Sequence, residues 1–458
     1  MCAFARHMTK RMKAVAAAGA VAAFWLAVWA FAAALVAQPL ILPGPGAVMV
    51  ALLRLVCDAN TWAILVGSGL RILGGLALAA VCGGVLAGVS VRSRTFARLV
   101  APALSFVKAT PVACVVVLLL IWLGSARVGI AAVFLMALPG VYFSLVEGLA
   151  QVDKPLEQMF RLHGVRGWRL FFAHAWREVL PFVLSCARAV IGMSWKAGVA
   201  AELIGMAAGT VGERIYQAKL LIETADLLAW TVLVVAASWA CERVLVWLLR
   251  ASGSVAWRVA VRAHGHGLRG RAGAASDGAL AELALAVGDR APWAPALDGL
   301  VLRVPTGGRT CVMGASGVGK STLLALAAGE CAPCSMVFQD VRLVEDASAL
   351  DNVLVCADAR VDASSAAALL RLLVSGVDVH ARVAELSGGQ RRRVEIARAL
   401  LCPGDAVILD EPFTGLDTAA RDACAEVVLD LLNGRMLLLA THDAVDARAL
   451  NISDIITL

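Results

Sequence analysis

In the run Gly314-Ala315-Ser316-Gly317-Val318-Gly319-Lys320-Ser321-Thr322, the first eight residues match G-x-x-x-x-G-K-[S/T] at every fixed position. The glycines permit a tight, open turn whose backbone N–H groups converge on phosphate oxygens. Lys320 is placed to neutralise the β- and γ-phosphates of a nucleoside triphosphate, and the Ser321 hydroxyl to hold magnesium. This chemistry needs a strand before the loop and a helix after it. Thr310-Cys311-Val312-Met313 reads as that strand and 321–328 as that helix, with its N-terminus aimed at the anion.

Five further groups follow in order. Gln339 ends a short apolar run in Val337-Phe338-Gln339-Asp340. Leu386-Ser387-Gly388-Gly389-Gln390 opens a basic helix over 391–401. Ala406-Val407-Ile408-Leu409-Asp410-Glu411 is a buried strand ending in two carboxylates, and Thr414-Gly415-Leu416-Asp417 comes directly after it. Leu437-Leu438-Leu439-Ala440-Thr441-His442-Asp443 is another apolar strand, ending at a histidine. Singly, each has a bland explanation: a solvated strand end, a plain helix start, a structural histidine. Their order behind a complete phosphate loop makes joint coincidence a poor account. From about residue 280 strands and helices alternate, which predicts a mainly parallel sheet flanked by helices.

Together these motifs resemble the ATP-binding-cassette family over nearly all of 280–458, with Leu386–Gln390 matching the family's signature sequence unaltered. The resemblance implies roles position by position. Residues 314–322 cradle the phosphates of ATP. Ser321 and Asp410 support Mg2+, and Gln339 reaches both the metal and the attacking water. Glu411 is the general base, and His442 contacts the γ-phosphate. Ser387, Gly388, Gly389 and Gln390 face ATP held by an opposite cassette, and Asp417 lies at the contact between two cassettes. Two departures stand out. Val287 occupies the position where the family stacks an aromatic residue on adenine, with Trp293 as the nearby substitute. The stretch between Lys320 and Gln339 is short, so the family's antiparallel arm reads as trimmed.

Such a cassette must be positioned by something, and composition says what. The 458 residues are 60% hydrophobic and only 16% charged, against about a quarter charged in soluble domains. The apolar excess lies before Arg250. Six segments, about 14–37, 62–90, 99–123, 128–150, 181–208 and 227–249, are each long enough to cross about 30 Å of hydrocarbon. The expected fold is therefore multi-domain: an all-α, six-helix transmembrane domain over 1–250, a flexible linker over 251–279, and an α/β P-loop NTPase domain over 280–458. Lys and Arg cluster at 6–13, 92–98, 154–177 and 250–262, which places both termini and the ATPase domain in the cytoplasm of an inner-membrane protein. The same topology explains the net charge of +7 without nucleic acid. The twelve cysteines show no disulfide framework. Cys331-Ala332-Pro333-Cys334 reads as a turn with reduced thiols, and His264-Gly265-His266-Gly267 as part of the solvated linker.

One cytoplasmic stretch, 151–180, is amphipathic instead of membrane-like. It resembles the coupling helix of binding-protein-dependent importers, whose E-A-A-x-x-x-G loop precedes a proline. Gly164 and Pro181 fall as expected, with Gln158-Met159-Phe160 replacing the E-A-A triplet. Pro102, Pro111, Trp122-Leu123-Gly124 and the 195–212 region resemble permeases of the nitrate, sulfonate and taurine type. Arg71, Lys108, Arg188, Lys196 and Glu202 are the charged candidates within apolar segments. The first three are expected near membrane interfaces, and Lys196 and Glu202 are the candidates for a solute path. One phosphate loop and one signature per chain imply a homodimer in lipid. The resemblance adds a separate extracytoplasmic substrate-binding protein and makes the expected function ATP-driven solute import. A half-size exporter and a regulatory membrane ATPase are the alternatives; short loops and the absence of a large outer segment count against them.

Overall fold

The computed structural model describes residues 2–263, 282–287, 297, 300–331 and 334–458, with side chains from residue 16 onward except 18 and 286. The helices of the first part are α1 (Cys2–Val36), α2 (Pro45–Cys57), α3 (Ala59–Arg92), α4 (Arg94–Ala109), α5 (Val112–Leu123) and α6 (Ser125–Ala150). They are followed by α7 (Lys154–Leu162), α8 (Gly167–Leu170), a π-helical turn at Phe171–Ala175, α9 (Trp176–Gly205), α10 (Val211–Leu220) and α11 (Thr224–Arg262). Two compact units result: one of Met1–Ala150 with Val179–Arg250, the other of Gln151–Glu178 with Ala251–Leu458.

The first unit is all helical. Among the described residues five helices are long and apolar enough to cross a membrane, and six if α4 and α5 count as one broken span. The segment expected as a single span at 99–123 is in fact bent by 103° between α4 and α5. Pro111 is the cause: it excludes the helical region for Thr110, which sits at φ −75°, ψ 130°, and it begins the next helix from its N-cap. Small residues let the long helices close on one another. A Cβ on Gly75 of α3 would stand 2.6 Å from the Ile130 carbonyl oxygen of α6, and one on Gly198 of α9 would stand 2.6 Å from Ile72 of α3. At the buried Tyr142 the hydroxyl donates to Ser90 Oγ at 2.9 Å, tying α6 to α3.

Within this unit Glu202 of α9 is buried. It accepts from Ser68 Oγ at 2.9 Å and from the Gly212 N–H at 3.4 Å, and Arg71 Nη1 stands 3.9 Å from its other oxygen. Arg71, expected near a membrane interface, thus has a carboxylate partner within the helical unit. It lies well inside α3 and pairs with Glu202 across two helices, a juxtaposition that only the tertiary fold creates. Lys196, the expected companion of Glu202, is exposed.

The second unit carries the sheet. Its elements are β1 (Glu282–Ala286), β2 (Val301–Pro305), β3 (Arg309–Met313), α12 (Lys320–Glu330), β4 (Ser335–Val337), α13 (Ala349–Leu354), α14 (Ala363–Leu373), α15 (Gly388–Leu401), β5 (Ala406–Asp410), α16 (Thr418–Leu431), β6 (Met436–Thr441), α17 (Ala444–Ala449) and β7 (Asp454–Thr457). Strands β4-β5-β6-β3-β7 form an all-parallel sheet, with β1 and β2 as a separate antiparallel pair. β5 and β6 are buried at every residue, as continuous apolar runs in the middle of a covered sheet must be.

Helix α7 belongs to the hydrophobic core of this sheet unit. Leu156, Met159, Phe160 and Leu162 are buried in it, at spacings that put them on one face. Asp153 caps the helix by accepting from the Leu156 N–H at 3.1 Å. Gly164, at φ 80°, ends it, with the Val165 N–H reaching back to the Phe160 carbonyl at 2.9 Å. Two hydrogen bonds to backbone carbonyls complete the docking: the Cys334 N–H donates to Leu162 O at 3.0 Å, and the Arg169 side-chain Nη2 to Val355 O at 3.1 Å. The expected linker over 251–279 is revised over its first part. Residues 251–262 are the end of α11, whose Ala256, Trp257, Ala260 and Val261 are buried, with Trp257 Nε1 donating to Asp351 at 3.2 Å. An apolar pair repeating four residues on gives this stretch a helical face that its glycine and serine content obscured. The His-Gly-His run at 264–267 and Trp293 lie outside the described residues.

Candidate nucleotide site

In a parallel sheet the loops after adjacent strands open at one edge, the carboxyl edge, about 4.8 Å apart. The register aligns the relevant strand ends: Val337 beside Leu409, Asp410 beside Ala440, and Met313 beside Thr441. Gln339, Glu411, His442 and the loop beginning at Gly314 each lie one or two residues past their strands. Four motifs separated by up to 128 positions of sequence thus meet along one edge.

The 314–322 loop has the geometry its residue types demand. Gly317 and Gly319 take φ 84° and 111°, the left-handed region that disfavours side chains. A Cβ at Gly314 would stand 3.0 Å from both the Leu458 carbonyl oxygen and Val318. Lys320 is buried and opens α12, its Nζ donating to the carbonyls of Gly314 and Ala315 at 2.7 and 2.9 Å. Ser316 and Ser321 are exposed, and Val318 and Thr322 are half-buried.

Asp410 is buried at the end of β5 and hydrogen-bonds the Ser321 hydroxyl; burial pushes its carboxyl up, with neighbouring Glu411 adding to the rise. Glu411 sits at φ 46°, unusual for a residue with a Cβ, and its N–H donates to Ala440 O at 2.9 Å. That turn sends its carboxylate to His442, whose Nδ1 is 3.2 Å from Glu411 Oε1. His442 and Gln339 are exposed. The oxygens of Ser321 and Asp410, hydrogen-bonded to each other, are hard donors of the kind magnesium prefers, and burial of the Asp410 carboxyl gives a cation reason to bind beside it. The residues therefore fit the metal that the phosphate loop implies.

Ser387 N-caps α15 in a complete capping box. Its Oγ accepts from the Gln390 N–H at 3.3 Å, and Gln390 Oε1 accepts from the Ser387 N–H at 2.8 Å. Ser387 and Gly388 are exposed at the helix start, and a Cβ on Gly389 would touch the Gly415 carbonyl oxygen at 3.4 Å. Asp417 caps α16 through the Ala420 N–H at 2.7 Å. Val287, where an adenine-stacking residue was expected, is buried in the core. Cys331 and Cys334 are buried free thiols, pushed up to about 11 and about 12 by burial.

The comparison with known proteins divides along the same lines as the chain. Residues 297–414 match the family model described as "ABC transporter", and residues 80–253 match "Binding-protein-dependent transport system inner membrane component". An aliphatic sulfonates import ATP-binding protein of Paracoccus denitrificans is 34% identical over 183 residues, covering 37% of this chain and 74% of that one. The chain belongs to the ABC transporter family. A taurine import ATP-binding protein of Chromobacterium violaceum is 37% identical, covering 33% of this chain and 68% of its own length. A lipoprotein-releasing system ATP-binding protein of Xanthomonas axonopodis is 34% identical, covering 34% and 78%. This ABC transporter is a multi-pass membrane protein that joins permease and ATPase in one chain, and its cassette binds ATP and couples hydrolysis to transport.

One group of the ABC transporter site escaped the motifs. Arg392, read only as part of a basic helix, sends Nη2 to Gln339 O at 2.6 Å and to Glu411 O at 3.2 Å, while Nη1 reaches Phe338 O. It fastens the loops after β4 and β5 to each other. The available signal was the spacing of Arg392, Glu395 and Arg398, three residues apart along one helix face.

Proposed function

We propose that the chain is an ATP-driven importer of a small solute, acting as a homodimer in the inner membrane with a separate extracytoplasmic substrate-binding protein. The match of 80–253 to the binding-protein-dependent permease model carries this reading. The import proteins among the cassette's relatives support the direction and point to organic sulfonates such as taurine as the solute class.

In this mechanism the 314–322 backbone and Lys320 hold the triphosphate of ATP. Ser321, Asp410 and Gln339 would hold Mg2+, which supplies charge neutralisation at the phosphates. Glu411 takes the proton of the attacking water, and His442, 3.2 Å from that carboxylate, orients it and reaches the γ-phosphate. The exposed Ser387–Gly389 helix start and Asp417 serve the partner's ATP, so two chains make two sites. Segment 151–180 carries cassette motion to the membrane helices and couples hydrolysis to alternating access. The permease domain is 1–250, with its last helix running on to Arg262, and the ATPase domain is 280–458, with both termini and the ATPase domain in the cytoplasm.

The test is ATP-dependent uptake of taurine and a short alkanesulfonate into proteoliposomes, with a co-expressed binding protein supplied on the outer side. Uptake that Glu411→Gln abolishes is the expected result. ATP turnover without solute movement in either direction sinks the transport reading, and movement out of the cell interior sinks import.

A further inference from the structure

Helix α15 buries three charged side chains that no nucleotide motif claims. Arg398 and Glu395 are fully buried and Arg392 is 3% exposed. Both oxygens of Glu395 are used: Oε2 by Arg392 Nη1 at 2.8 Å, and Oε1 by Arg398 Nη2 at 3.3 Å and by the Arg342 N–H at 3.1 Å. Arg398 Nη1 in turn donates to Arg342 O. Arg342 extends the chain of contacts outward. Its Nη1 donates to Pro155 O at 3.1 Å and to Gln158 Oε1 at 3.3 Å on α7, and its guanidinium lies 3.7 Å above the Phe338 ring.

A buried ion triad is a poor way to gain stability, because apolar residues of the same volume often do as well. What apolar residues cannot do is satisfy three carbonyls from two separate loops at fixed angles. A planar guanidinium held by a carboxylate can. We infer that Glu395 is a positioning residue for ATP hydrolysis: through Arg392 it fixes the backbone that carries Gln339 and Glu411, and through Arg342 it fixes the loop on which α7 rests. This inference rests on the ATP site proposed above. It adds a residue outside the motifs, and it makes one carboxylate common to the hydrolytic edge and to the docked helix.

The experiment measures MgATP turnover and thermal unfolding of the full-length chain in lipid nanodiscs. Glu395→Gln keeps the shape and an acceptor for the Arg342 N–H but removes the charge that holds Arg392. Its expected kcat is at least about tenfold lower, with KM for ATP within about threefold. Glu395→Gln alone strands two buried guanidiniums, Arg392 and Arg398, whereas Arg392→Gln combined with Glu395→Gln strands only Arg398; its Tm therefore returns part of the way towards wild type while kcat stays low, because the Gln339 and Glu411 carbonyls still lack their guanidinium. Recovery of kcat together with Tm in the double variant overturns the inference and leaves the triad a purely structural element. Lys320→Ala, measured alongside, separates two failures. Turnover that survives it refutes the ATP site itself. Turnover that it abolishes but that ignores Glu395→Gln refutes only the positioning role.

Discussion

Phe160→Ala attacks the seam between α7 and the sheet unit. Phe160 is fully buried, stands 5.8 Å from the His174 ring between centroids, and belongs to the same hydrophobic core as the sheet strands. Truncation removes the ring and leaves a cavity that a helix capped at both ends cannot readily collapse; such changes cost about 3–5 kcal/mol. The loss falls locally, because α7 holds only a few other buried side chains. At about 1.4 kcal/mol per power of ten, the ratio of docked to undocked helix falls by two to nearly four powers of ten. Amide hydrogen exchange on the full chain reads this directly. The His163 and Val165 N–H groups, bonded to the Met159 and Phe160 carbonyls at 3.1 and 2.9 Å, should exchange faster by up to that factor. Leu372→Ala, at an exposed site in the same unit, should leave them unchanged. ATP turnover should persist in Phe160→Ala while solute transport is lost. Protection of these amides within about threefold of wild type would refute the placement of Phe160 as the anchor of the helix.

Glu411→Gln should lower ATP turnover by at least about a hundredfold with ATP binding retained, as measured by nucleotide binding and phosphate release side by side. Lys320→Ala should do the reverse and weaken binding first, since its ammonium sits in the phosphate loop. His163 supplies a pH dependence. Its Nδ1 lies 2.8 Å from Met159 O, a contact only an N–H can make, and burial, helped by nearby Arg398, pulls its pKa from 6.5 down to about 3. The unfolded chain therefore binds the extra proton first, so stability is complete above 6.5 and is lost as pH falls towards 3. By pH 5 the loss is about 2 kcal/mol; thermal unfolding of wild type and His163→Gln across this range should show the slope vanish in the variant. In the membrane unit, a Cβ on Gly212 would stand 2.3 Å from Leu203 N and 2.4 Å from Glu202 C. Backbone cannot yield as a side chain can, so Gly212→Ala should cost about 2–3 kcal/mol, seen as a lower Tm in detergent.

The cassette was the most legible part of the sequence, because its chemistry needs particular residue types at fixed offsets from strand ends. Ser321 and Asp410 could be assigned to one site from motif order alone, and the parallel register brings them together. Arg392 could not, because a guanidinium that binds carbonyls leaves no pattern in the residues it binds. The apolar helices were visible as hydropathy, but the Arg71–Glu202 pair was not, since helix rotation in a bundle is set by packing such as that at Gly75 and Gly198. The break at Pro111 was within reach of local rules and was hidden by the length of the apolar run. The continuation of α11 to Arg262 was masked by small residues that suit either a helix or a linker.

The burial of α7 in the sheet unit also has a consequence in time. The ribosome releases residues 154–162 roughly 300 residues before it releases β7, the last strand of the sheet. At synthesis rates of about 5–20 residues per second, that helix waits some 15–60 s for the core that will cover Leu156, Met159, Phe160 and Leu162. The core of the cassette is thus completed by a helix made long before its strands, an interval that a cassette containing all of its own core does not have.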